Sequence, residues 1–251
     1  FHKNNQFNKA KKKYLEILKI DPKNYQIKRL AALIEYSLEN YDDSLKLLNE
    51  CIKEKSNYSE AYSDRGLVYQ KLNKKKNSEK DYLKAIDIDK NLNALFNYAN
   101  LLKDSKDLNK AIFYYTQAIE KKPNFLKAYQ NRALLKYTQH KDQDAINDFN
   151  EVLKIDSNYS NARFIKSAIE LKKENLIEGF KNYECRWESS VFPSKRRNFN
   201  QRTWDGIEVL KNKTILLYSE QGLGDQIHFI RFVNLIIKKE ANVIVEVEPR
   251  L

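Results

Sequence analysis

Apolar side chains recur along most of this chain with helical spacing. From Leu108 they fall at Ala111, Ile112, Tyr115, Ala118 and Ile119, the pattern of one buried helix face. Over a longer range, small residues return at Ala10, Ser44, Ser78, Ala111, Ala145 and Gly179, spaced 34, 34, 33, 34 and 34. A second small series runs Ala32, Gly66, Ala99, Ala133, Ser167. A third, mostly aromatic, runs Tyr14, Leu48, Tyr82, Tyr115, Phe149, Tyr183. All three slip by one residue in the same unit, so they share one period of about 34 with a single deletion. Small residues suit positions where two antiparallel helices cross closely, and the aromatics fill the space between pairs. Polar or proline breakers (Asp21-Pro22, Lys122-Pro123, Asp156-Ser157) close the units. The pattern predicts helix pairs over 25–55, 59–89, 92–121, 126–155 and 160–187, preceded by a single helix over 7–20.

This arrangement resembles the tetratricopeptide repeat (TPR) family over residues 1–187, about three quarters of the chain. The resemblance implies an all-α solenoid, a right-handed superhelix whose concave groove takes an extended peptide or partner domain. Two residues before the small residue of the first helix stand Asp64, Asn97 and Asn131, spaced 33 and 34. They are expected to stack along one face as a peptide groove, where Asn offers both a donor and an acceptor to a main chain. The series is similar to the asparagine ladder in the repeats of O-linked N-acetylglucosamine transferase. It departs from that ladder at Leu30, Ile165 and Asp64. The plainer alternative is a row of ordinary polar surface residues.

The period ends after residue 187. Arg186 falls where other units carry Ile17, Cys51, Ala85, Ala118 and Val152, so the last helix is expected to cap the solenoid and face a different neighbour. Residues 188–213 read as a linker with a basic run (Lys195, Arg196, Arg197, Arg202), expected to be a solvated connector, and Trp204 reads as a packing anchor. Residues 214–251 then change texture. Thr214-Ile-Leu-Leu-Tyr218 is a strand-like apolar run, Ser219 to Asp225 a glycine loop, 225–239 helical in period, and Asn242 to Val247 a second strand. This predicts the first βαβ unit of a Rossmann-like α/β domain, cut short.

The loop is neither a dinucleotide fingerprint, since Ile227 replaces the third glycine, nor a phosphate loop, since no Gly-Lys-Ser/Thr follows. It places the Asp225 carboxylate at a helix start, where the dipole keeps it ionised. Its chemistry alone fits a helix N-cap better than a base. Thr214 to Phe232, preceded by Tyr183-Glu-Cys-Arg-Trp187 and Trp204-Asp-Gly206, resembles TPR-linked bacterial glycosyltransferases. These are similar to the lipopolysaccharide heptosyltransferases and have a GT-B architecture. The resemblance covers about residues 180–251. It implies sugar transfer from a nucleotide-sugar donor to a protein or glycan acceptor. It also implies Asp225 as general base and Gly222, Gly224 and His228 at the substrate. The donor-binding half of such enzymes is absent here. This chain is therefore expected to bind no cofactor or metal and to lack transferase activity by itself. The non-enzymatic alternative is a TPR interaction scaffold.

Composition changes this picture in three places. Five Gly and four Pro argue against an all-β fold, which needs many tight turns. The absence of Met, together with the half repeat at 7–20, leads to the expectation of a fragment truncated at its N-terminus, and the lone βαβ unit to the same at the C-terminus. Two Cys exclude a disulfide scaffold and fit a reducing, cytoplasmic setting. No apolar run approaches the roughly 18 residues of a membrane span. The net charge of +12 is read as a lysine-rich solvated surface, with nucleic acid the least favoured partner.

Overall fold

The computed structural model describes residues 7–220 and 222–250, and of Asp225 only the backbone. The chain divides into two compact units, the first ending at Asn182 and the second starting at Tyr183.

Unit 1 is built of antiparallel helices. The single helix α1 (Phe7–Ile20) is followed by five pairs: α2 (Tyr25–Ser37) with α3 (Tyr41–Glu54), α4 (Ser59–Lys71) with α5 (Lys75–Asp89), α6 (Leu92–Asp104) with α7 (Leu108–Lys121), α8 (Leu126–Thr138) with α9 (Asp142–Ile155), and α10 (Ser160–Lys172) with the short α11 (Leu176–Tyr183). Several start on side-chain caps: Asn24, Asn91 and Asp107 accept from the amides of Ile27, Ala94 and Lys110. The small-residue series is buried throughout, with Ala32, Ser44, Gly66, Ser78, Ala99, Ala111, Ala133 and Ala145 inside. Ser44 and Ser78 hydroxyls donate to the carbonyls of Ala32 and Gly66, at 2.8 Å each, which ties the two helices of a pair at their crossing. Gly66 has no alternative: a Cβ there would lie 2.7 Å from the Tyr82 ring. Tyr82, Tyr115 and Phe149 from the aromatic series are fully buried.

The five turns inside the pairs share one geometry. Glu39, Asn73, Lys106, His140 and Glu174 all have positive φ, between 55° and 64°. In each turn that residue's amide donates to the carbonyl three back, and the next amide to the carbonyl five back, as in Asn73 to Gln70 and Lys74 to Tyr69. This is the Schellman closure of a helix end, which usually employs glycine. Here the chain adopts it five times without one, which accounts for part of the glycine scarcity.

Unit 2 opens with a 3-10 turn, Glu184–Glu188, continuing the end of α11. Its regular core is small. The strands β1 (Thr214–Tyr218) and β2 (Asn242–Glu246) pair in parallel, Thr214 against Asn242 through Tyr218 against Glu246. Between them the expected single helix is three short pieces: α12 (Leu223–Phe229), a 3-10 turn Ile230–Phe232, and α13 (Val233–Ile237). Two five-residue strands do not make the sheet of a Rossmann-like domain, because both faces of a parallel pair need covering. Ile227, Leu235, Ile237 and Ile244 are accordingly half or more exposed. Among the described residues no helix is long and apolar enough to cross a membrane.

Candidate functional site

The first helices of successive pairs carry Asp64 (α4), Asn97 (α6) and Asn131 (α8) at equivalent positions, but in three different environments. Asp64 is buried and accepts a 2.5 Å hydrogen bond from Arg29 Nε on α2. Burial raises its carboxyl above the ordinary aspartate value, although the Arg29 guanidinium acts the other way. Its oxygens are thus committed to holding α2 on α4. Asn97 is half-buried and its side chain makes no hydrogen bond among the described residues. Asn131 Nδ2 donates to Asn100 Oδ1 (3.0 Å) and to the Tyr115 hydroxyl (3.2 Å), which itself donates to Asn100 Oδ1 (2.6 Å). Burial pushes the Tyr115 phenol up, so it remains a donor. The network fixes both amides and leaves Asn131 Oδ1 and Asn100 Nδ2 unpaired among the described residues. Sequence reasoning missed Asn100; the signal was its place one turn after Asn97 on the same face.

Charged groups that read as solvated are structural. Arg65 makes a fork on Asp81 (2.7 Å through both Nε and Nη2) and reaches Asn49 with Nη1. Sixty-seven residues on, Arg132 makes the same fork on Asp148 and reaches Thr116. Each arginine lies over a tyrosine ring one turn earlier, Tyr62 at 5.4 Å and Tyr129 at 5.5 Å. Each therefore joins three helices: its own, the next, and the one before. The repeated Tyr-x-x-Arg with an Asp sixteen residues later was visible in the sequence. A cleft of about 520 Å³ lies against Arg65 and Asp81, walled by Tyr62, Leu83 and Lys84.

In unit 2 the glycine loop follows β1, although Gln221 lies outside the described residues. Gly222 holds the N-cap position of α12 and Asp225 its third helical position. Asp225 is thus not the cap residue, and its side chain lies outside what is described. A Cβ at Gly222 or Gly224 would meet nothing within 4 Å, so packing among the described residues does not require either glycine. His228 is exposed and in contact with Arg231 Nη2 through its ring. Next to the loop, Arg186 forks onto Glu220 through Nε and Nη2 and lies over the rings of Tyr183 and Trp187. The neighbour anticipated for Arg186 is therefore Glu220 at the end of β1. The basic run is not wholly a free connector either. Arg197 pairs with Glu246 at the end of β2 and lies over Phe199 and Tyr218, Arg202 pairs with Asp205 at 3.8 Å and Arg196 donates to the Thr203 hydroxyl at 3.4 Å, all of them and Lys195 on the exposed surface. Trp204 donates to the Glu208 carbonyl, closing the linker on itself. No group of three or more His, Cys, Asp or Glu suited to a metal exists among the described residues.

Residues 59–92 and 93–125 each match the tetratricopeptide repeat family. Unit 1 has the fold of a TPR solenoid, and two of its repeats match that family in sequence. Solved TPR structures are similar to it. The C-terminal part of a TPR repeat-containing protein from Cytophaga hutchinsonii has a TM-score of 0.61 at 17% identity, covering 73% of this chain and 74% of that one. YrrB, described as a TPR protein with an unusual peptide-binding site, has 0.57 at 16% identity over 68% of this chain and 89% of its own. PilF of Pseudomonas aeruginosa has 0.56 at 17%, over 71% and 76%. At these identities the likeness is one of fold. Among curated proteins, FlbA of Caulobacter vibrioides is 24% identical over 131 residues, 51% of this chain; the chain covers 22% of that protein's length.

Proposed function

We propose that this TPR chain is a protein-interaction scaffold that holds an extended segment of a partner along the first-helix face of unit 1. The observation that carries this is the pair Asn100 and Asn131, locked by Tyr115 with one donor and one acceptor left over, beside the unpaired Asn97. A donor and an acceptor held side by side match a peptide unit irrespective of its side chain. Asp64, tied to Arg29, serves as the wall of this groove rather than as a rung. Both cysteines are free and buried, in keeping with a reducing, cytoplasmic setting. The test is selection from a displayed 12-residue peptide library. Selected peptides should bind the chain and lose at least tenfold in affinity to the Asn97→Ala/Asn131→Ala variant. Equal affinity for the variant overturns the reading.

A second reading, that the scaffold serves a glycosyltransferase using a nucleotide-sugar donor, draws on one observation. Gly222 and Gly224 keep open space at the carboxyl end of β1, the side where open α/β folds take ligands, with Asp225 in the first turn of the helix that follows. In this reading Asp225 is the base, and His228 lies one helical turn further on. Asp225→Asn in the protein as it occurs in the cell should then abolish sugar transfer; an active variant, or no transfer by the unsubstituted protein, removes the reading.

A further inference from the structure

The turn joining α4 to α5 carries Lys71, Lys74, Lys75, Lys76 and Lys80, five lysines in ten residues. All five are exposed, and none has a carboxylate within ion-pair distance among the described residues. Some lysines elsewhere on unit 1 are paired within a turn, as in Lys13–Glu16, Lys110–Asp107 and Lys154–Glu151. The single acid of the segment, Glu79, is occupied by the hydroxyl of Tyr98 on α6 at 2.7 Å.

The placement of these cations opposes local helix physics. Lys74 is the N-cap of α5, without a side-chain cap bond, and Lys75 and Lys76 are its first two residues. A helix start attracts anions and repels cations. The sibling second helices follow that rule: α3 has Asp42 and Asp43 in its first turn, α9 has Asp142 and Asp144, and α7 is capped by Asp107. Among the five turns inside the pairs, this one alone has lysine at the cap and the first two helical positions with no acid in the first turn, and unpaired like charges side by side add to the cost.

We propose that the α4–α5 turn is a docking surface for a short acidic segment of a partner protein, separate from the first-helix groove. Its limits decide the partner class. The turn before it bears Glu39, Asp42 and Asp43, whereas the turn after it bears Asp104 and Asp107 beside Lys103, Lys106 and Lys110. Adjacent turns stand roughly a helix-packing distance apart, on the order of 10 Å. A long polyanion such as a nucleic acid, or an anionic bilayer, crossing several turns meets the Glu39, Asp42 and Asp43 carboxylates on one side and lysine-paired carboxylates on the other. A segment of about four to six acidic residues does not, since an extended chain advances about 3.3 Å per residue. No aromatic side chain lies within residues 71–80 to stack a base.

The experiment is fluorescence anisotropy of a labelled hexaglutamate peptide titrated with the 251-residue chain at several salt concentrations. The peptide should bind, more weakly as salt rises. Changing Lys74, Lys75 and Lys76 together to Glu should weaken it at least tenfold, whereas changing Lys195 and Arg196 to Glu should leave it within twofold. Glutamates suit a helix start, so the triple variant should keep its helical circular dichroism. A Lys→Gln version at the same three positions should lose binding as well, without charge reversal. A 20-residue single-stranded oligothymidine and phosphatidylserine vesicles serve as rivals. Unchanged hexaglutamate binding by either triple variant overturns the proposal, as does tighter binding of the oligonucleotide or vesicles than of the peptide.

Discussion

Single atoms decide the packing at Gly66. A methyl group there would reach the Tyr82 ring at 2.7 Å and the Ser78 carbonyl at 3.3 Å, with Tyr82 itself enclosed. Gly66→Ala should therefore destabilise the chain by about 1–3 kcal/mol, measured by urea denaturation. The opposite sign holds at the turns. His140 and Glu174 sit in left-handed conformations that cost a residue with a Cβ about 1 kcal/mol relative to glycine. His140→Gly and Glu174→Gly should each raise the melting temperature. The Arg65–Asp81 fork adds a third case. Asp81 is almost wholly buried, so Arg65→Met should cost about 3–5 kcal/mol by stranding its charge, and adding Asp81→Leu should recover most of that. Asp64 differs in its pH dependence. Its carboxyl, raised by burial, holds its proton more tightly in the folded than in the unfolded chain. Folding gains stability as pH falls through the raised value, and the gain is complete at the unfolded value of about 3.9. Asp64→Asn should flatten that part of the stability–pH curve, read from denaturation series between pH 7 and 4.

At the scale of elements, helices α1 to α10 were legible because three independent series of small and aromatic residues keep one phase, and that phase fixes both the crossings and the turns. The ion pairs were not legible by the same route. Periodicity of apolar positions is silent about which charges are inside, and only the recurrence of Tyr-x-x-Arg with an Asp sixteen residues later sets Arg65 and Asp81 apart from other charged residues. The break of residues 223–237 into three pieces was also hidden. Its spacing is helical and it contains no Pro or internal Gly after Gly224, yet its apolar face has no cover, and packing is what sustains a short helix. The start of α5 gives the prediction at this scale. Lys75→Glu with Lys76→Glu should raise the melting temperature, because the change removes cations from the positive end of the helix. A stabilised chain that has lost hexaglutamate binding would be the expected combination; a destabilised one would contradict the electrostatic account of this turn.

For the whole molecule, the two units differ in how far their apolar side chains are buried. Residues 1–182 hold 35 basic and 25 acidic residues, nearly all of the net charge, on a helical array whose small and aromatic series are buried. Unit 2 has a two-stranded sheet, exposed apolar helices and carboxylates at both strand ends covered by arginines, Glu220 by Arg186 and Glu246 by Arg197. The repeat architecture could be read from the sequence. The chemistry of the glycine loop could not: Gly222 takes the N-cap of α12 where Asp225 was the candidate, and residue pattern alone does not separate a ligand loop from a helix start. The central claim is that partner segments bind along the first helices of unit 1. Hydrogen exchange of the full chain, with and without a peptide selected as above, tests it most directly. Slowed exchange concentrated in α4, α6 and α8 is the predicted result. Slowed exchange confined to residues 214–250, with those three helices unchanged, would contradict it.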